Sequence, residues 1–192
     1  LPIKKLVIAT NQNDILHRTM ETGAYTKGSV VPSISPSMDI QVSSNFERAL
    51  FYAYDRDGAA VAQLMEELKD GSFAISQGAM EMLRETFDSG RASEDETKAE
   101  IKSSFTATGE VLCPHSAVGV KVANENLSEI PMITLATAHP AKFPDSVEEA
   151  MGAHPDLPPH MAGLMDREER MCKVPNQLAL LETLIKDRIA AR

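Results

Sequence analysis

The sequence lacks the features of a membrane protein or a disulfide-stabilised protein. Its 192 residues include only two cysteines, Cys113 and Cys172, which lie far apart and fit neither a disulfide nor a metal-ligand spacing. No apolar run approaches about 18 residues, the length that a membrane span requires. We therefore expect a protein without a bound metal that resides in the reducing cytoplasm and not in a membrane.

Positive charge is also scarce. The chain has 19 Lys and Arg residues against 28 Asp and Glu residues, which gives a formal net charge of −9. This balance argues against general binding to nucleic acid or to an anionic membrane surface. A small anionic substrate would need a local cluster of hydrogen-bond donors, because the overall field repels it.

Several well-known catalytic motifs are absent from the sequence. It contains no GxSxG, GxGxxG or Walker loop, and its five histidines form no HExxH pattern. The stretch "LPIKKLVIAT" has no initiator Met and enters a predicted strand almost at once. We therefore expect a piece of a longer chain, in which any glycine loop for a phosphate group would precede Leu1.

Short apolar runs alternate with helical patterns, which indicates an α/β fold with a mostly parallel sheet and flanking helices. Strands are expected at residues 6–9 and within 131–136, and residues 77–87 suit a short helix or a strand. Helices are expected at about 14–22, 45–56, 58–70, 95–108, 114–126, 145–151 and 176–191.

Polar residues follow the predicted strand within "PMITLATAHPAKFPDSVEEAMG". An apolar run ends at Thr137, His139 and Pro140, and an amphipathic helix follows. Ligands of open α/β sheets bind just outside the carboxyl ends of the strands. This strand end is therefore a candidate site, although a hydroxyl there is also consistent with a simple backbone contact.

A second candidate lies in "SISPSMDIQVSSNFER", which places several hydroxyls, two amides, two carboxylates and a guanidinium within 16 residues. One interpretation is turn chemistry followed by a helix that Asn45 caps, with Arg48 on its surface. The other is a cluster of donors for an anion. The residues alone leave both interpretations open.

Four stretches, taken in order, resemble the second half of threonine synthases of the bacterial and fungal branch. They are "VIATNQNDIL", "VPSISPSMDIQVSSNFER", "CPHSAVGVKVA" and "TLATAHPAKFPDSVEEA". The resemblance implies a pyridoxal-phosphate-dependent enzyme of fold type II, similar to the tryptophan synthase β-subunit. The 192 residues would then form the C-terminal part of the large cofactor-binding α/β domain, with a helical tail at about 152–192. The N-terminal half would lie outside this sequence.

The resemblance also implies an activity. Enzymes of this family convert O-phospho-L-homoserine and water to L-threonine and phosphate, the last step of threonine biosynthesis. Pyridoxal 5'-phosphate acts as an electron sink that stabilises carbanions on the substrate. In this fold the Schiff-base lysine and the glycine loop belong to the first half, so we expect no catalytic residue here and no activity from this segment alone. Lys142 sits at the wrong end of the fold to be that lysine.

By the same resemblance, Thr137 matches the residue whose hydroxyl meets the pyridine nitrogen of the cofactor. Substrate contacts are less specifically implied. The candidates supply hydroxyl, amide, imidazole or cationic groups for a phosphate and a carboxylate, and they are Asn11, Asn13, Ser37, Ser43, Asn45, Arg48, His139 and Lys142.

Two other functions stay open from the sequence. One is another lyase of fold type II, such as a dehydratase, although the "SPSMDIQVSSNFER" stretch favours threonine synthase. The other is a self-standing, non-catalytic α/β domain that binds a partner or a nucleotide. The sequence does not distinguish a monomer from a homodimer.

Overall fold

The computed structural model describes residues 2–191, which divide into one unit that ends at Asp156 and a second unit that begins at Leu157. The first unit combines helices with four short strands. Its strands are β1 (Leu6–Thr10), β2 (Ala24–Thr26), β3 (Ser72–Ala74) and β4 (Phe87–Arg91). Its helices are α1 (Ile15–Thr22), α2 (Phe46–Ala53), α3 (Gly58–Glu67), α4 (Gln77–Thr86), α5 (Glu94–Thr108), α6 (Pro114–Glu125) and α7 (Pro144–Met151).

The strands form two separate pairs. β1 and β4 run parallel, and their register places Leu6 opposite Phe87 and Thr10 opposite Arg91. β2 and β3 run antiparallel, with Tyr25 opposite Phe73. The parallel pair carries the candidate site, because the residues that follow β1 lead directly into a polar network described below.

Two hydrophobic cores hold the first unit together. The larger core lies among α1 to α4 and the antiparallel pair, where the ring of Tyr25 stacks between Phe46, at 5.6 Å, and Phe73, at 4.8 Å. The smaller core joins α5, α6 and α7 through the fully buried Ile101, Ala117 and Val147. Apolar burial on this scale is the main source of folding free energy.

Most predicted elements are confirmed, with small shifts at their ends. Residues 77–86 form a helix, which settles the choice that the sequence left open. Strands β2, β3 and β4 were not predicted. β2 and β3 have only three residues each, and β4 reads "FDSGR", which has neither an apolar run nor an alternating pattern.

The strand predicted within residues 131–136 does not form in the described chain. This segment has no strand assignment, and the side chains of Ile133 and Leu135 are 82% and 78% exposed. A strand needs a neighbour for its backbone groups. The strands described in residues 2–191 pair with one another, β1 with β4 and β2 with β3, and none borders this segment. The expectation of a buried strand therefore fails for want of a partner.

The second unit is less regular than the helical tail predicted from the sequence. Residues 157–177 contain two short 3₁₀ turns, Pro159–Met161 and Leu164–Asp166. The last helix, α8 (Leu178–Ala190), confirms the prediction of a helix from about residue 176. Within residues 2–191, no helix combines the length and the apolar character needed to cross a membrane.

Candidate functional site

Thr137 is held at the amino-terminal end of α6. Cys113 occupies the N-cap of this helix, and its Sγ accepts the backbone N–H of Ser116 at 3.4 Å. Ser116 Oγ accepts the backbone N–H of Thr137 at 3.1 Å and lies 3.2 Å from Thr137 Oγ1. The Sγ of Cys113 lies 3.5 Å from the same Oγ1. Two side chains of one helix turn therefore fix the position of the threonine hydroxyl.

The surroundings of this hydroxyl differ on its two sides. Cys113 and Ser116 are buried behind it, whereas Thr137 itself is exposed. Burial raises the pKa of the Cys113 thiol, but hydrogen bonds with the Ser116 and Thr137 side chains and with the backbone of Ser116 and Ala138 outweigh burial and hold that pKa below its usual value. The Thr137 hydroxyl is thus a neutral group, anchored from behind and open to an incoming acceptor.

The half-buried carboxylate of Asp39 organises the second candidate region, the serine loop, which we define as residues 33–45. Asp39 Oδ1 accepts hydrogen bonds from Asn11 Nδ2 at 2.8 Å, Asn13 Nδ2 at 3.0 Å and Ser33 Oγ at 2.6 Å. Asp39 Oδ2 accepts the N–H of Ser33 at 2.8 Å. The network therefore ties the serine loop to the chain that leaves β1.

The side chains of Asn11 and Asn13 are used for hydrogen bonds inside this network. Both residues are only 3% exposed. Asn13 also accepts the N–H of Val31 at 2.8 Å and donates to its carbonyl at 2.9 Å, while Asn11 Oδ1 accepts the N–H of Asn13 at 2.8 Å. These contacts favour a supporting role for the two amides.

The other candidates on the serine loop and α2 reach the surface. Ser37 is exposed, and Ser43 is partly buried with its N–H donating to the hydroxyl of Tyr25 at 2.7 Å. Asn45 occupies the N-cap of α2 as predicted, but its side chain makes no capping hydrogen bond. Its Oδ1 instead accepts from Arg48 Nη2 at 3.1 Å. The exposed Arg48 guanidinium is thereby oriented by a neighbouring amide.

His139 and Lys142 lie on the 3₁₀ turn (Pro140–Lys142) that follows Thr137. His139 Nδ1 accepts the N–H of Ala141 at 3.2 Å and so caps the turn. The Lys142 ammonium is exposed and lies 5.6 Å from the ring centre of Phe143. His139 therefore supports the chain's exit from Thr137, and Lys142 presents a charge beside it.

One residue that sequence reasoning did not select connects these regions. His115 Nε2 accepts the backbone N–H of Ser37 at 3.1 Å, and the imidazole packs against Phe143 with ring centres 4.7 Å apart. His115 thus contacts both the serine loop and the turn after Thr137. The only signal in the sequence was its place in "CPHS", directly after a helix-starting proline.

No metal centre is evident in the part of the chain that the structure describes. Within residues 2–191, no three His, Cys, Asp or Glu side chains converge closely enough to hold a metal ion.

Comparison with known proteins points to one family. A sequence-family model, described as the C-terminal region of threonine synthase, matches residues 116–185 of this chain. These residues include Ser116, Thr137, His139 and Lys142. Threonine synthase of Pseudomonas aeruginosa is 46% identical over 190 residues, which cover 96% of this chain and 40% of the relative.

Solved structures agree. Pyridoxal-phosphate-bound threonine synthase from Brucella melitensis is 51% identical with a TM-score of 0.93, over 97% of this chain and 41% of that one. Yeast threonine synthase is 32% identical with a TM-score of 0.88, over 100% of this chain and 43% of that one. The α/β fold of type II expected from the sequence is confirmed. The chain spans about two fifths of the length of the relatives it matches.

Proposed function

We propose that this chain, a homologue of bacterial and fungal threonine synthases over nearly its whole length, forms the C-terminal part of such an enzyme. The complete polypeptide would use pyridoxal 5'-phosphate to convert O-phospho-L-homoserine and water to L-threonine and phosphate. The observation that carries this proposal is the match to the Brucella melitensis enzyme, with 51% identity and a TM-score of 0.93.

The residues around Thr137 fit one end of the cofactor. A pyridine nitrogen is a hydrogen-bond acceptor, and the anchored Thr137 hydroxyl is a neutral donor with an open side. When bound, pyridoxal phosphate supplies an electron sink for carbanions on the substrate. A hydroxyl does not stabilise a charged ring nitrogen as a carboxylate does. Thr137 would therefore hold the ring in place while leaving its nitrogen uncharged.

The proposed substrate contacts come from two stretches that His115 connects. A phosphate dianion and a carboxylate need several preorganised donors. The donors proposed to face the substrate are Ser37, Ser43, Asn45, Arg48, His139 and Lys142. For Asn11 and Asn13 we propose an indirect part, because their buried amides hold the serine loop through Asp39.

The rest of the machinery would come from a part of the polypeptide outside this sequence. We propose that the Schiff-base lysine and the cofactor's phosphate loop lie there, so that the present 192 residues alone are inactive. The 40% coverage of the Pseudomonas aeruginosa enzyme supports this division. A cytoplasmic location is also proposed, and the free thiols of Cys113 and Cys172 are consistent with it.

The test uses the complete polypeptide loaded with pyridoxal phosphate. With O-phospho-L-homoserine we expect L-threonine and phosphate in equal amounts, and we expect neither product from the 192 residues alone. Release of ammonia and a 2-oxo acid in place of threonine would assign a dehydratase. Absence of any turnover by a folded, cofactor-loaded protein would favour a non-catalytic binding domain.

A further inference from the structure

His115 occupies a junction between three segments of the first unit. It is the second residue of α6 and is only 8% exposed. Its Nε2 accepts the Ser37 N–H at 3.1 Å, across 78 residues of chain. The other face of the ring packs on the turn after Thr137 through Phe143. The next residue, Ser116, is the one that anchors Thr137.

The contact with Ser37 determines the protonation state of the ring. A nitrogen that accepts an N–H carries no proton, so the neutral ring has its proton on Nδ1. Within residues 2–191, Nδ1 is buried and has no hydrogen-bond partner. A charged ring would also carry a proton on Nε2, and that proton would point at the Ser37 N–H. The junction therefore exists only while His115 is neutral.

We propose that His115 is a positioning residue whose neutral imidazole ties the serine loop to the start of α6 and so sets the distance between Ser37 and Thr137. The inference rests on the proposed function, in which Ser37 faces the substrate and Thr137 faces the cofactor. His115 acts through Ser37 and has no contact of its own with either ligand.

The charges around the ring favour the neutral state. Burial lowers the pKa of His115 most, the nearby Lys142 lowers it further, and Asp39 on the serine loop raises it in part. The net pKa lies below the usual value of 6.5, so the ring is neutral at pH 7. Because the pKa of His115 is lowered in the folded state, the stability that the neutral imidazole gives the fold is fully present above pH 6.5. That stability is lost as the pH falls through the folded pKa.

Two variants of the complete enzyme distinguish the effect of losing the hydrogen-bond acceptor from the effect of losing the imidazole ring. His115→Gln places an amide oxygen near the position of Nε2, whereas His115→Leu removes the acceptor. With O-phospho-L-homoserine, we expect His115→Leu to raise KM about tenfold with a smaller change in kcat, as the loss of one hydrogen bond predicts. We expect His115→Gln to stay within about threefold of the wild type and to lose part of the acid-side fall in kcat/KM.

Hydrogen exchange provides a readout that does not depend on activity. In the cofactor-free complete protein, we expect His115→Leu to lower the protection factor of the Ser37 amide and His115→Gln to preserve it. In the wild type, the same protection factor should fall as the pH decreases through the folded pKa of His115, which lies below 6.5, and this measurement needs no variant.

The outcomes are distinct. Unchanged KM and unchanged Ser37 protection in His115→Leu would overturn the proposal, and so would a His115→Gln variant as impaired as His115→Leu. If the wild type protects Ser37 in the expected way but does not turn over O-phospho-L-homoserine, the proposed function fails while the contact stands. If turnover is normal and Ser37 protection is independent of pH, the positioning role fails by itself.

Discussion

At the scale of single residues, the Thr137 hydroxyl is the group on which the cofactor assignment depends. In the complete enzyme, Thr137→Val keeps the shape and removes the donor, so we expect cofactor binding to weaken by about 1–3 kcal/mol. Thr137→Ser keeps the hydroxyl near Ser116 and should retain most of the affinity. Titration of the apoenzyme with pyridoxal phosphate, together with kcat, measures both effects.

Thr134→Val is the matched control, because Thr134 lies on the same segment with its methyl group directed at α6 near Gly119. This change removes a hydroxyl without touching the proposed site. If Thr137→Val binds the cofactor as tightly as the wild type and the Thr134→Val control, the hydroxyl does not contact the pyridine nitrogen.

A substitution at Asp39 tests whether its hydrogen bonds stabilise the serine loop. Its carboxylate accepts four hydrogen bonds, two of them from Asn11 and Asn13. Asp39→Asn would turn an amide NH₂ toward these donors, so we expect the complete protein to lose about 1–3 kcal/mol of unfolding free energy. The exposed Asp70→Asn serves as the control. Denaturant titration of the wild type and the two variants measures the effect. Equal stability of the two variants would show that the Asp39 network does not stabilise the protein.

At the scale of elements, the packing of β4 against α6 depends on Gly90. A Cβ at this position would lie 2.7 Å from Val122 Cγ1, closer than packed atoms tolerate. We expect Gly90→Ala to cost about 1–3 kcal/mol of unfolding free energy through overpacking. The control is Gly78→Ala on α4, where an added Cβ meets no atom within 4 Å. Equal melting temperatures for the two variants would show that α6 shifts without cost.

The start of α5 gives a prediction about pH. Glu96 accepts the N–H of Ser93 at 2.8 Å and the Ser93 hydroxyl at 2.7 Å, and these bonds lower its pKa to about 2. Because the folded pKa is lowered, the capping box stabilises α5 above pH 4.5, and this stability is lost as the pH falls toward 2.

Glu96→Gln keeps the capping geometry and removes the charge, so the acid-side slope of unfolding free energy against pH should be shallower than in the wild type. The exposed Asp95→Gln in the same helical turn serves as a comparison. An identical slope in the wild type and in Glu96→Gln would remove Glu96 from the acid response.

The same elements show what sequence reasoning reaches and what it does not. α1 and α5 end where predicted, because Gly23 and Gly109 adopt the left-handed conformation that stops a helix within one turn. β4 was missed because its pairing with β1 joins residues about 80 positions apart and leaves no local pattern. The junction at His115 was missed for the same reason, since its contact with Ser37 exists only after folding.

The resemblance to threonine synthases predicted the role of a residue that local sequence patterns did not assign. The residues alone identified Thr137 as a polar strand end, and only the family assigned its hydroxyl to a cofactor. The physical setting of that hydroxyl, between Cys113 and Ser116, required the fold. The substrate contacts are the part least determined by the sequence, because several exposed donors satisfy the same chemical requirement.

At the scale of the whole molecule, the exposed apolar segment before Thr137 needs an explanation. Ile133 and Leu135 point outward while Thr134 faces α6, which is the alternation of a strand with one covered face. The chain spans about two fifths of the length of its relatives. We therefore expect the proposed remainder of the polypeptide to pack against the exposed side of this segment. Burial of two such side chains would contribute about 1.5–3 kcal/mol each.

In the complete protein, we therefore expect residues 131–136 to pair with a strand from that remainder. Hydrogen exchange should be slow at the backbone amides of this segment, and Ile133→Asn should cost about 2 kcal/mol or more, because an amide replaces a buried apolar side chain. In the isolated 192 residues the same amides have no strand partner and should exchange rapidly. Rapid exchange in the complete protein, with a stable Ile133→Asn variant, would show that the segment stays open. Thr137 would then be held by α6 alone, because Ser116 and Cys113 are its only anchors among the described side chains.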